Sequence, residues 1–302
     1  MSNKEFVLSI CCISYNHEKY ISEALESFLM QITDFDYEII VVDDNSPDST
    51  FQICLEYQKK HANRIKLFKN EVNLGPIPNL TKALNLCTGK YIAWCEGDDY
   101  WTNPFKLQKQ VDFLEANPDF SLSFHNSLIK WEDGSLPDSL FCPPNQKEVS
   151  TIKDVIKGWF IPSASMVFRR DSIMPLPDWF PGIYNGDWGI QLLLGSKGNI
   201  WYISEVMSVY RKALGSLSYS LGKNVEFVFV QKKELLLHIN QLTNYKFQAS
   251  IEKAIKTLNK DLKDFLLKRK SKYIYWLFHP KRLIKKILIK YFKFNKLKLF
   301  LI

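Results

Sequence analysis

Four short runs of apolar and β-branched residues, Phe6 to Ile13, Tyr37 to Val42, Ile65 to Phe68 and Tyr91 to Cys95, punctuate the first hundred positions. Between them, apolar residues recur at helical spacing from Tyr20 to Gln31, from Ser49 to His61 and from Pro78 to Cys87. Strand-length runs alternating with helical periods predict βαβ units around a parallel sheet. The punctuation agrees: Asp48 or Ser49 can cap the second helix, while the third has Pro at its start and Gly89 just past its end. A fourth helix, Pro104 to Ala116, should stop at Asn117-Pro118, followed by two alternating runs, Ser121 to Phe124 and Leu128 to Trp131. Residues 136–150, rich in Pro, Ser and Asn, read as a surface loop. Mixed strands and one helix, Asp187 to Lys197, should complete the domain by Arg211, and the chain reads helical from Asn224. The predicted fold is therefore α/β, a doubly wound and mostly parallel sheet flanked by helices, in three parts at 1–115, 116–223 and 224–302.

Composition changes this picture only at the carboxyl end. The 302 residues are 46% hydrophobic, enough for a sizeable core, and carry a formal charge of +8. From Lys268 to Ile302 there are twelve Lys and Arg and no acid, so the first 267 residues hold 28 basic against 32 acidic side chains. The basicity belongs to the tail and does not mark a nucleic-acid-binding domain. Six cysteines without CxxC spacing, most of them among apolar neighbours, suit buried reduced thiols and a reducing cytosol. The first apolar run is too short for a secretory leader, and no uncharged apolar run approaches the ~20 residues a membrane span needs.

The candidate chemistry lies where the predicted strands end, because ligands of open parallel sheets bind beyond the strands' carboxyl ends. Strand one is followed by Ser14, Tyr15 and Asn16, strand two by Asp43, Asp44, Asn45 and Ser46, and strand four by Glu96, Gly97, Asp98 and Asp99. Neither a Gly-x-Gly-x-x-Gly loop nor a Walker lysine loop is present, so a nucleotide here would be held through carboxylates. Carboxylates repel a diphosphate unless a divalent cation lies between them, and Mg²⁺ or Mn²⁺ takes one or two carboxylates plus phosphate oxygens. Asp98 and Asp99 suit that task, Asp44 could accept from a base N–H, and Glu96 from a ribose hydroxyl. Each cluster taken alone also fits a plain turn: 43–48 is equally a helix-entry turn and 96–99 a solvated loop.

At these positions the chain resembles the family-two inverting glycosyltransferases with the GT-A fold. The resemblance rests on Ser9 to Asn16, on Glu38 to Thr50 (EIIVVDDNSPDST), on Asn73-Leu74-Gly75 and on Gly89 to Leu107 (GKYIAWCEGDDYWTNPFKL). It is strong over 6–115, weaker over 116–215 and absent beyond. It implies that 1–115 binds a nucleotide sugar, with Ile13, Tyr15, Asn16, Asp43, Asp44, Glu96 and Asp98 around the donor, and that 116–223 binds acceptor. It further implies a metal at Asp98 and Asp99, with Glu96 standing where Asp is commoner. Asp187, in Gly186-Asp187-Trp188, resembles the family's catalytic base, although a carboxylate there could simply cap its helix. Arg211, in Tyr210-Arg211, is a candidate contact to phosphate or acceptor, or else a structural ion pair. Trp101 either walls the sugar site or packs in the core.

The implied activity is Mn²⁺- or Mg²⁺-dependent transfer of a single sugar, with inversion, from a nucleotide diphosphate sugar, UDP-linked by expectation, to a glycan or lipid-linked glycan. A nucleotide-binding scaffold without catalysis is the alternative, and a nucleotidyltransferase lacks its glycine-rich loop. Basic residues at 282, 285, 286, 290 and 293 oppose Leu283, Ile284, Ile287, Leu288 and Tyr291 on one helical period. That pattern predicts docking on an anionic membrane surface, hence a cytoplasmic, peripheral location suited to lipopolysaccharide or capsule assembly, with packing on the domain as the other reading.

Overall fold

The computed structural model of the chain describes residues 6–212 and 225–278, with side chains as far as 269. The amino-terminal half runs β1 (Leu8–Ser14), α1 (Ile21–Leu29), β2 (Tyr37–Asp43), α2 (Thr50–Lys60), β3 (Ile65–Lys69), α3 (Pro76–Leu86) and β4 (Tyr91–Trp94). There follow β5 (Tyr100–Trp101), α4 (Lys106–Ala116), β6 (Phe120–Trp131), β7 (Ser139–Leu140), β8 (Val149–Ser150) and α5 (Ile152–Val155). The last elements are β9 (Val167–Arg169), α6 (Gly186–Lys197), β10 (Asn199–Lys212), α7 (Val225–Leu242) and α8 (Gln248–Phe278).

These strands form one sheet in the order β3-β2-β1-β4-β9-β6-β10-β5, with β7 on β6 and β8 on β10. The strands β3, β2, β1 and β4 run parallel, as do β6 and β10, and β9 joins the two parallel blocks by antiparallel pairing with β4 and β6. The chain leaves β1 toward β2 on one side and returns to β4 on the other, so the crevice between β1 and β4 is the topological switch point of this half.

Alternate residues of the first strands supply the core. Leu8, Ile10 and Cys12 of β1, Ile39 and Val41 of β2, and Tyr91 and Ala93 of β4 pack with Leu25 and Phe28 of α1 and Leu107 and Val111 of α4. Each such side chain contributes on the order of 1.5–3 kcal/mol relative to exposure. All six cysteines are buried and unpaired.

The amino-terminal ends of these strands are tied by one fully buried carboxylate. Glu38 accepts from Ser9 Oγ (2.6 Å), Thr88 Oγ1 (2.7 Å), Thr88 N (2.9 Å) and Lys66 Nζ (2.6 Å). Burial pushes its pKa up, and the bonds from Lys66, Ser9 and Thr88 together outweigh that and leave it lowered. Gly89 follows directly, and a Cβ there would lie 2.6 Å from the backbone of Leu8 and Ser9, so only glycine lets β4 enter alongside β1.

Two departures from the sequence reading have physical causes. The runs 121–124 and 128–131 are a single strand, because the polar residues between them are buried and Asn126 and Ser127 find partners within the fold. Asn126 Oδ1 accepts from the Cys142 amide at 2.9 Å, and the hydroxyls of Ser127 and Ser208 meet at 2.6 Å. The 136–150 segment is not all loop, since it contributes the two-residue strands β7 and β8.

By internal contacts the chain divides into a unit 1–252, which holds the sheet, and a unit 253–302. The described part of the second unit is the continuation of α8 to Phe278. No helix among the described residues is long and apolar enough to cross a membrane. The basic amphipathic stretch 282–293 lies outside the described residues.

Candidate active site

The loops leaving β1, β2 and β4 are stitched together by backbone bonds that extend the sheet past its formal ends. The Asp44 amide donates to Ser14 O (2.9 Å), and the Gly97 amide to Ile13 O (3.0 Å). A Cβ at Gly97 would lie 2.7 Å from Ile21 Cδ1 and 3.0 Å from His17 Nδ1. The loop carrying Glu96 and Asp98 therefore lies directly on the β1–α1 turn. Asn16 and Asn45 both adopt positive φ, 59° and 58°, a conformation asparagine tolerates better than most residues.

The two aspartates after β2 are buried and organise backbone. Asp43 accepts from the Ser46 amide (2.9 Å) and Ser46 Oγ (2.5 Å), and the Ser46 hydroxyl in turn receives the Asn16 amide (3.1 Å). Asp43 thus shapes the turn and points its carboxylate away from solvent. Asp44 Oδ1 accepts from Asn70 Nδ2 (2.7 Å) and the Leu74 amide (2.8 Å), and its Oδ2 from the Gly75 amide (2.9 Å). A carboxylate offers about four acceptor positions, so one remains on Oδ2 beside the Asn73-Leu74-Gly75 loop. Tyr15 and Asn16 are exposed next to this corner, whereas Ile13 offers only its nearly buried strand end.

Beyond β4, the carboxylates of Asp98 and Asp187 both bear on Glu96. Burial raises the Glu96 pKa to about 8, helped by the charges of Asp98 and Asp187, and Ser163 Oγ approaches it at 3.4 Å. Burial raises Asp187 to about 6, against the opposing amide of Trp188, which donates to Asp187 Oδ1 at 2.8 Å, and a smaller effect of Lys232 on α7. Asp187 is the second residue of α6. That helix start is pressed onto α3 at Gly186, where a Cβ would meet Ile77 Cδ1 at 2.7 Å. Two parts of the chain some ninety residues apart thus deliver acids to one crevice.

Of the sequence-predicted residues, Asp99 is placed away from its expected role, and Arg211 and Trp101 take the ion-pair and core-packing alternatives. Asp99 does not join Asp98 at the surface: it is 1% exposed, its Oδ1 receives the Arg211 amide (2.9 Å), and burial raises its pKa well above the ordinary value. Arg211 does not present its guanidinium to a ligand, because that group is consumed by Glu132 Oε1 (3.0 Å), the Asp98 carbonyl (2.8 Å) and Glu23. Trp101 is a core residue, packed on Phe28 and donating its Nε1–H to Ala164 O at 2.8 Å. Sequence reasoning missed Glu23, Glu132, Ser163 and Lys232, which meet the site only through tertiary packing. It also missed His17, whose Nε2 lies 3.8 Å from Asp98 Oδ2 and whose position just past Ser14-Tyr15-Asn16 was the available signal.

The donor set suits a hard divalent cation shared with a ligand. Asp98 is partly exposed and supplies carboxylate oxygen, with Glu96 two residues away. No group of three or more His, Cys, Asp or Glu side chains poised for a metal occurs among the described residues.

A mostly parallel sheet of this order with acids at its switch point is the GT-A architecture. The chain belongs to glycosyl transferase family 2, whose model matches residues 9–174. It is 37% identical over 206 residues to an uncharacterized protein of Mycobacterium tuberculosis, covering 68% of this chain but 58% of that relative's length. It is 29% identical over 224 residues to the UDP-Glc:alpha-D-GlcNAc-diphosphoundecaprenol beta-1,3-glucosyltransferase WfgD of Escherichia coli, covering 74% of this chain and 83% of that one. Among solved structures, S. aureus TarS 1-349 in complex with UDP-GlcNAc superposes with a TM-score of 0.59 at 20% identity, covering 83% of this chain and 80% of that one.

Proposed function

We propose that the protein transfers a single sugar, with inversion, from a UDP-linked donor to a hydroxyl of a glycan or lipid-linked glycan acceptor, assisted by Mn²⁺ or Mg²⁺. The observation that carries this reading is the convergence of Asp98 and Asp187 on Glu96 at the carboxyl edge of β4, with Glu96 and Asp187 both raised in pKa. Structural acids are usually neutralised by partners, whereas raised carboxylates sharing a crevice mark a site built for chemistry.

The roles follow from placement. The free acceptor position of Asp44 and the exposed Tyr15 and Asn16 receive the nucleoside, and Glu96, protonated near neutrality, offers a hydroxyl to the ribose. Asp98 would hold the cation, which, when bound, offsets the charge that develops on the departing nucleoside diphosphate. Asp187, largely ionised at pH 7, accepts the acceptor hydroxyl's proton as that oxygen bonds to the anomeric carbon. The bond from that carbon to the phosphate oxygen breaks on the opposite face, which inverts the centre.

The donor and acceptor classes take support from WfgD, whose name gives UDP-Glc and a diphosphoundecaprenol-linked sugar as its substrates. A lipid-linked acceptor also accounts for the basic amphipathic tail, which would hold the protein on the inner face of the cytoplasmic membrane. The test is a panel of nucleotide sugars incubated with the protein and Mn²⁺, scored for nucleoside diphosphate release. Release that disappears on chelation is expected. Its absence across the panel, together with no metal-dependent nucleotide binding, would leave a scaffold without catalysis.

A further inference from the structure

Arg211 stands one residue before the end of β10, more than a hundred residues from the acid loop, yet its amide and guanidinium are directed at that loop or at its supports. Its amide donates to Asp99 Oδ1 (2.9 Å), and its Nη1 to the carbonyl of Asp98 (2.8 Å), so one residue grips two consecutive positions of the loop. On the far side Nε donates to Glu132 Oε1 at the end of β6 (3.0 Å) and Nη2 to Glu23 of α1. The guanidinium plane lies between two rings, its Cζ 4.3 Å from the centroid of Tyr100 and 5.0 Å from that of Tyr20. The residue is 7% exposed.

A planar fork with donors fixed in direction, held by two carboxylates and two aromatic faces, leaves the Asp98 peptide very little freedom. The Asp98 side chain leaves from that same peptide unit. We infer that Arg211 is a positioning residue: it aims the Asp98 carboxylate at the cation and diphosphate of the donor without touching either. This role rests on the donor reading given above. It also assigns Glu23, Glu132, Tyr20 and Tyr100 as the frame that holds Arg211 in place. A lysine could supply the charge but neither the bond to the Asp98 carbonyl in this geometry nor the stacked plane.

The experiment compares wild type with Arg211→Lys, using two probes of the same pocket. UDP with Mn²⁺ reports the aim of Asp98, and uridine, which lacks the diphosphate, reports the nucleoside contacts of Asp44 and Glu96. Partners of metal ligands typically contribute ~10–100-fold to affinity, so UDP–Mn²⁺ binding should weaken by that factor while uridine binding is unchanged. Donor KM should rise with kcat at saturating donor and Mn²⁺ largely retained. A general loosening of the fold would weaken both probes together, and that outcome, like an unchanged ratio, overturns the positioning role. Should wild type itself show no Mn²⁺-dependent UDP binding, the donor reading falls and takes this role with it. Wild-type binding with an unchanged ratio in the variant removes only Arg211.

Discussion

Replacing Asp187 by Asn should move activity and stability in opposite directions. In the folded protein the carboxyl has a pKa near 6, against 3.8 ordinarily, because the crevice strips water from it. The sign is that of a penalised anion: the folded state is disfavoured at every pH above about 6, and the penalty fades as pH falls toward 3.8. A shift of this size corresponds to at most ~3 kcal/mol, and solvent reaching the half-buried carboxylate reduces it to on the order of 1–2 kcal/mol. Asn keeps the oxygen that accepts the Trp188 amide and carries no charge. The variant should therefore melt about 2–6 °C higher than wild type at pH 7.5, with the gain vanishing near pH 4. Loss of the base should cost ~10²–10⁴ in kcat. Wild-type kcat/KM should fall about tenfold between pH 7 and pH 5, following ionisation of the free enzyme, and the variant's residual rate should lack that limb. Scanning calorimetry across pH and a diphosphate-release assay measure both arms. A variant that retains more than a tenth of the wild-type rate, or melts lower at pH 7.5, refutes the assignment.

Asp98→Asn should abolish Mn²⁺-dependent UDP binding in calorimetry while leaving the melting temperature within about 2 °C, because this carboxylate is partly exposed. Gly89→Ala should destabilise by ~1–3 kcal/mol in urea unfolding, since its Cβ would meet the Leu8 and Ser9 backbone at 2.6 Å; an unchanged midpoint would show that β1 and β4 can part freely. Glu38→Ala should cost at least ~2 kcal/mol by the same assay, as it takes the acceptor from the buried Ser9 hydroxyl and from the Thr88 hydroxyl. Truncation before Lys268 should leave nucleotide binding intact and abolish sedimentation with anionic liposomes; equal sedimentation of the shortened chain would remove the membrane role.

The sheet's parallel half was legible because its strands are short, largely apolar runs and its helices keep a regular period, with proline in the first turn of α3. The second half was less so. In β6 the buried polar residues His125, Asn126 and Ser127 interrupt the hydrophobic pattern, and only their partners across the sheet reveal a continuous strand. The same limit governs the site. Position after a strand predicted that Asp44, Glu96 and Asp98 would follow the strands' carboxyl ends, and they do. It could not tell an outward carboxylate from an inward one, and Asp99 differs from Asp98 by a single step of a turn. Nor could spacing show that Arg211 is already engaged, because Glu23 and Glu132 lie 188 and 79 residues from it in sequence.

The network around Glu38 ties β1, β2, β3 and the turn into β4 at the edge opposite the one where Glu96 feels Asp98 and Asp187. What secures the scaffold and what performs the chemistry therefore occupy different rims of the same sheet. Loops on the reactive rim can be exchanged, lengthened or re-aimed toward another sugar without loosening the knot that keeps the strands in register. A lineage that needed a new linkage could alter one rim and leave the other as it stands.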